Sequence, residues 1–315
     1  MHPQLHTQGI RTAEDDLRHP ESLLVSDSQK LYTFSLETIG YKNIPVKGHS
    51  FKRIGGMLQI SQSELLLSDK DLNCIYILTR HRLYSEIQSV IGKCEEKGGY
   101  IDGSYGEARF YMPYKFAKSL VEKDSYYVAE RKHVRKLSNG KEEVSTIFSC
   151  EGLHRHGCYV VTALSVTKKH LYIAAADQIY QYSFTTRLTM LLSGGLRFGH
   201  ADGHCLLATS YGFVSSMLHL DGYTMLVADF LNQNLRVIDT LSSHSSTICL
   251  PTMSRKPQTE HFYGSRTLCH IKDPISLFYS QNLKAVVVLS RSAQPILLPV
   301  DGGKQRHIYA ANEYP

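Results

Sequence analysis

The sequence predicts an all-β chain, closed as a six-bladed β-propeller with four-stranded antiparallel blades. Three observations carry that expectation. A Gly-x-x-Asp-Gly segment occurs at Gly99 to Gly103, followed by Ala108, Phe110 and Pro113, and returns more weakly at Gly199 to Gly203, followed by Ala208. Six short apolar runs recur along the chain, most of them ending in a small or acidic residue. No segment holds a helical period over three turns; the nearest, Tyr84 to Lys97, reads equally as a strand and then a loop. Repetition weighs most, because a repeat unit buries its apolar face only by stacking on its neighbours.

The six runs start at Leu23, Leu65, Tyr126, Leu171, Met225 and Ala285. A four-stranded blade takes about 40–50 residues, so the longer intervals leave room for loops, at Arg80 to Tyr100 and Leu250 to Lys272. Turn-forming residues follow three runs, as Asp71-Leu72-Asn73, Asn139-Gly140 and Phe230 to Asn234. A middle strand of a blade packs against both neighbouring blades, which is why Ala285 to Leu289 is continuously apolar rather than alternating. The Asp-Gly pairs precede inner strands, and Gly supplies the positive φ that other residues resist. Asp102, Gly103, Asp202 and Gly203 are therefore expected to be structural turn residues. Residues 1–20 read as a polar segment that completes the last blade, and 21–315 as one propeller domain with the two termini sharing a blade.

With 315 residues and 42% hydrophobic content the chain can bury a sizeable core. No apolar run approaches the ~20 residues of a membrane span, and Met1 to Thr12 carries no signal-peptide core, as in a cytosolic chain or one whose natural precursor starts earlier. The net charge of +6 is scattered. Its densest run, Glu130 to Lys136, alternates with strand periodicity and reads as a solvated strand face rather than a phosphate site.

Two segments carry a family resemblance. Leu65-Leu66-Leu67-Ser68-Asp69 through Asn73-Cys74-Ile75-Tyr76, and better Met225 to Asp229 through Asn234-Leu235-Arg236-Val237-Ile238, resemble the core of the NHL-repeat propellers. The third unit keeps Tyr127-Val128-Ala129 and Val134-Arg135 but has Glu130 at the Asp position; the fourth and sixth depart further. More narrowly, the chain is similar to invertebrate secreted and cell-surface NHL proteins, in which a Cys recurs beside the outer strand before the Gly-Asp-Gly loop; Cys94 and Cys249 stand there. The resemblance spans about residues 20–300 and implies fold more strongly than activity.

Seven cysteines are present and no Cys-x-x-Cys, which disfavours structural zinc. Cys74 reads as a buried thiol in a strand. Cys150 and Cys158 flank one loop between blades, and Cys249 and Cys269 another; closing either would stabilise by about 3 kcal/mol in the loop-entropy picture. The segment between Pro251 and Thr267 has little to bury, so a Cys249–Cys269 bond is the expected source of its order, and the resemblance supports Cys249. Such pairs belong to an oxidising compartment. The odd count and the lack of an Asn-x-Ser/Thr site point the other way.

Chemistry is sparsely signalled. His200, Asp202 and His204 could form a metal cluster but read as a turn with two exposed imidazoles, and His154-Arg155-His156 as a polar loop. His219 or Asp273 would be channel ligands in a metal-dependent propeller hydrolase, yet nothing spaces them as a set. No nucleophile elbow or phosphate-cradling loop occurs. The favoured function is a non-catalytic, monomeric recognition module for a protein partner, extracellular or at the cell surface, without cofactors. The alternative is an intracellular NHL propeller that binds single-stranded RNA or a protein, which the charge and 20 tyrosines permit.

Overall fold

A computed structural model of the chain describes residues 12–19, 22–35, 38, 40–151, 160–195, 198–248, 250–251, 267–268, 271–281, 284–290 and 296–299. Its first sheet is β1 (Thr12–Asp15), β2 (Ser22–Ser26), β3 (Leu31–Ser35) and β4 (Gly40–Ile44). The second is β5 (Ile54–Gln59), β6 (Glu64–Asp69), β7 (Cys74–Arg80) and β8 (Ser85–Ile91). The third joins β9 (Gly103–Ser104), β10 (Lys115–Lys118), β11 (Ser125–Ala129), β12 (His133–Ser138) and β13 (Glu143–Ser149), with β9 at the outer edge beside β13. The fourth is β14 (Val161–Val166), β15 (His170–Ala175), β16 (Gln178–Ser183) and β17 (Thr189–Ser193). The fifth repeats the five-stranded pattern: β18 (Gly203–His204) lies outside β22 (His244–Ile248), followed inward by β21 (Asn234–Asp239), β20 (Thr224–Asp229) and β19 (Val214–His219). A ribbon of β23 (Leu250–Pro251) and β24 (Thr267–Leu268) precedes a sheet of β25 (Pro274–Ser280), β26 (Ala285–Ser290) and β27 (Ile296–Pro299).

All these ladders are antiparallel meanders. The inner strands touch in a closed circuit, β1 to β5, β10, β14, β19, β25 and back to β1. The chain is an all-β propeller. Five sheets have four or five strands. The last has three among the described residues, where six four-stranded blades were expected. The first sheet's inner strand, Thr12–Asp15, comes from the segment expected to complete the last blade; residues 1–11 lie outside the described residues.

Six apolar clusters alternate with the sheets, each between two neighbours. Leu65 and Leu67 face the first sheet with Leu24 and Leu31, while Leu66 faces the third with Val128 and Leu137. A second strand is therefore apolar throughout, and each of the six apolar runs is one: β2, β6, β11, β15, β20 and β26. Ala108 and Phe110 are fully buried between the second and third sheets. Gly55 and Gly56 let β5 approach the chain entering β10, since a Cβ on either would overlap the backbone of Pro113 or Tyr114.

Cysteine placement departs from expectation in one respect. Cys74 is buried but is no thiol: it is bonded to Cys94, with Cα atoms 5.0 Å apart. The reason is topological, because the chain leaving β8 turns back over the start of its partner β7. Cys150 is also disulfide-bonded. Cys158, Cys249 and Cys269 lie outside the described residues, and Cys205 is a buried free thiol.

Gly103 and Gly203 adopt φ of 141° and 135°. A Cβ on Gly103 would meet only Glu107, at 3.4 Å, whereas one on Gly203 would lie 2.8 Å from the Ala208 Cβ. Gly103→Val should cost about 1–3 kcal/mol of backbone strain, read as a lowered melting temperature. Gly203→Val should cost more, because it adds a clash; equal losses, or none, would show that these turns tolerate a side chain.

Candidate binding surface

Antiparallel meanders divide the ring into two ends. One carries the turns from second to third strands and the connections from each outer strand to the next inner one. The other carries the first-to-second and third-to-fourth turns. What fixes the first of these, the loop end, is a set of buried charges.

An acidic residue closing the second strand gathers backbone amides of the segment entering the same sheet's inner strand. Asp69 accepts from the N–H groups of Lys52 (2.6 Å) and Arg53 (3.2 Å). Glu130 accepts from Tyr111 (2.6 Å), and Asp229 from Gly212 and Phe213 (both 3.1 Å). In the third and fifth sheets an arginine joins this carboxylate. Arg135 and Arg236, both with 0% exposure, sit two residues into the third strand.

Arg135 donates to Glu130 (2.8 Å), to Asp102 through two nitrogens (3.0 and 2.5 Å), and to the carbonyls of Ile101 and Arg109. Asp102 also accepts from the backbone N–H and hydroxyl of Thr146 on β13. Arg236 repeats the pattern with Asp202 (2.7 Å), Asp229 (3.7 Å) and the carbonyls of Ala201 and Ser210, and Thr247 holds Asp202 as Thr146 holds Asp102. Each guanidinium also faces an aromatic ring, Phe110 at 5.3 Å or Tyr211 at 4.8 Å. Asp102 and Asp202 thus tie the outer-edge excursion to the blade centre.

Sequence reasoning missed these arginines and placed Arg135 on a solvated strand face. Lys132 and Lys136 do sit at the surface, paired with Glu151 and Glu122, but Arg135 is enclosed by the excursion that returns over its sheet. A cation interrupting an otherwise apolar third strand, as in Val134-Arg135 and Leu235-Arg236, was the available signal.

The other predicted sites disperse. Asp202 is committed to Arg236 and Thr247, His200 Nδ1 meets Asn234 (3.2 Å), and His204 Nδ1 accepts from the Leu206 amide. Among the described residues no three His, Cys, Asp or Glu side chains are grouped to hold a metal. His219 bridges two blades: its Nδ1 lies 2.9 Å from Ser165 Oγ, and its ring tilts against Tyr172 at 4.3 Å. Burial pulls its pKa down to about 4, so it is neutral near pH 7. Asp273 takes φ of 48° just before β25. His154 and His156 lie outside the described residues.

Both ends carry exposed groups. At the loop end Phe198 and Leu231 are more than half exposed, and the Tyr100 ring tilts against His133 (4.1 Å) near Tyr111 (5.7 Å), which in turn receives Arg131. At the turn end, large apolar side chains stand in solvent: Leu83, Leu120, Val121, Leu188, Tyr223 and Leu241, all more than half exposed. Single exposed leucines need no explanation, but their recurrence in the turns of several blades does.

No protein-family model and no curated protein sequence matches the chain. Solved structures do. An auxiliary nutrient binding protein from Bacteroides thetaiotaomicron superposes with a TM-score of 0.63 and 11% identity, over 90% of this chain and 67% of that one. The extracellular domain of a putative hybrid two component system from B. thetaiotaomicron gives 0.56 and 12%, over 89% and 32%. Virginiamycin B lyase from Staphylococcus aureus gives 0.53 and 8%, over 95% and 87%. At such identities these likenesses show the fold alone.

Glu130 is the site's titrating member. Burial pushes its pKa from 4.5 up to about 7, against the pull of Arg135 and the Tyr111 amide. A carboxyl whose folded pKa is raised binds its proton more tightly when folded. That contribution is fully present below about pH 4.5 and is lost as pH rises through 7. The melting temperature of wild type relative to Glu130→Gln should therefore decline between about pH 5 and 7.5; a difference that is flat or rises would show Glu130 ionised throughout.

Proposed function

We propose that the chain is a non-catalytic recognition module, a monomeric six-bladed propeller of NHL type, whose turn end docks a protein partner outside the cell. One observation carries the reading: apolar side chains recur in the turns of that end in four successive sheets, the second to the fifth. Exposed apolar groups on a rigid frame are what association uses, since little order has to be imposed on binding. The closed circuit of six inner strands supports the count of six. The segments Leu65 to Tyr76 and Met225 to Ile238 support the NHL type. The Cys74–Cys94 bond favours an oxidising compartment, and one structural neighbour is named as an extracellular domain.

The test compares two folded variants with wild type in affinity capture from extracellular fluid of the source organism, read by mass spectrometry. Leu120→Lys/Tyr223→Lys alters the turn end and Tyr100→Ala/Phe198→Ala the loop end. The reading expects a protein captured saturably by wild type and the loop-end variant but depleted at least about tenfold with the turn-end variant, the loss of one or two buried anchors. Capture lost only with the loop-end variant would contradict it.

A further inference from the structure

At the turn end a cleft of about 390 Å³ opens between the first and second sheets, lined by Leu17, Arg18, Gln62, Ser63 and Arg80. Two arginines line one cavity, but they are not equivalent. Arg80 is nine-tenths buried, and its two terminal nitrogens both donate to Asp16, at 2.9 and 3.0 Å. That pair is locally neutral, with Asp16 itself fully buried. Arg18 has no carboxylate at salt-bridge distance among the described residues.

Arg18 is nonetheless fixed. Its Nη1 donates to the carbonyls of Arg80 (3.0 Å) and His81 (2.8 Å), and its backbone N–H to Asp16 (3.0 Å). The adjoining Leu17 N–H donates to Gln59 Oε1 at 3.3 Å, so the turn is held from both sides. One nitrogen of the guanidinium is thereby saturated, while Nη2 and Nε donate to no group among the described residues. A planar fork with its ordering cost already met is the arrangement that takes a carboxylate through two parallel hydrogen bonds.

The surroundings narrow the ligand. Leu17, 44% exposed, separates this cleft from a second of about 230 Å³ lined by Glu14, Gln59, Phe278 and Tyr279. An apolar chain leaving the guanidinium can pass over Leu17 toward Phe278. Glu14 there accepts the Gln59 backbone N–H at 2.5 Å. We propose that the Arg18 cleft binds a carboxylate with a short apolar chain, by a bidentate pairing with Arg18 and contact with Leu17 and Phe278.

Hexanoate is the probe, with hexanamide as the control, titrated against the isotope-labelled chain and followed by backbone amide shifts. Hexanoate should saturate shifts at residues 16–19 and 62–64. Hexanamide should bind at least about tenfold more weakly, and Arg18→Gln should weaken hexanoate by about 10–100-fold, the range for a charged hydrogen-bonded pair. Arg18→Lys keeps the charge without the fork and should fall between. Both variants should melt within a few degrees of wild type, since Arg18 is part-exposed and outside the core. No saturable shift with hexanoate, equal binding of hexanamide, or hexanoate binding unaltered in Arg18→Gln would each overturn the proposal.

Discussion

A guanidinium sealed inside a blade is the constraint around which this molecule is arranged. In the third and fifth sheets it joins three stretches of chain that are distant in sequence: the end of the second strand, the third strand, and the excursion that crosses from the previous blade. Without it the excursion would keep its two-residue edge strand, its buried side chains and the threonine bonds to Asp102 or Asp202, but would lose its tie to the blade centre. The carboxylates do complementary work. Each closes a second strand and collects the amides of the segment entering that sheet's inner strand, so the path of the chain from blade to blade is set by hydrogen bonds to charge.

The energetic logic is one of specification more than of stability. Burying Arg135 or Arg236 carries a desolvation cost that its partners offset only because nearly every donor is used. What such a network yields is uniqueness, since a slipped register would strand a charge in an apolar interior. The second sheet reaches the same end differently. Tyr76 stands where the arginine would be, with its hydroxyl 3.4 Å from Cys94 Sγ, and the Cys74–Cys94 bond secures the departing chain covalently. Rigidity obtained in these two ways is what allows surface turns to act as a fixed pattern.

How much of this could be read in advance depended on the physics of each element. Second strands were legible because both of their faces are buried, which leaves a continuous apolar signature. Gly103 and Gly203 have the positive φ expected of them, but they sit in outer edge strands rather than in turns just before inner strands. The inner strand Lys115–Lys118 left no such trace, since its side chains are only partly covered. The edge strands at Gly103 and Gly203 are two residues long, too short for any period. Arg135 was misplaced because alternation reports which face a residue occupies, and says nothing of a distant loop folding over that face. Cys74 and Cys94 were separated in the reading for the same reason: their proximity follows from the pairing of β7 with β8. The clefts beside Leu17 arise between sheets and have no sequence signature at all.

The account rests on Asp102 and Arg135 acting together, and a double-mutant cycle measures that directly. Chemical denaturation of wild type, Asp102→Ala, Arg135→Met and the double variant isolates their coupling. Two charge-assisted hydrogen bonds from a buried guanidinium to a carboxylate half open to solvent predict a coupling of about 1–2 kcal/mol after solvent screening, with the double variant less destabilised than the two single losses added. Losses that add within about 0.5 kcal/mol would show that the clamp does not hold the excursion to its blade.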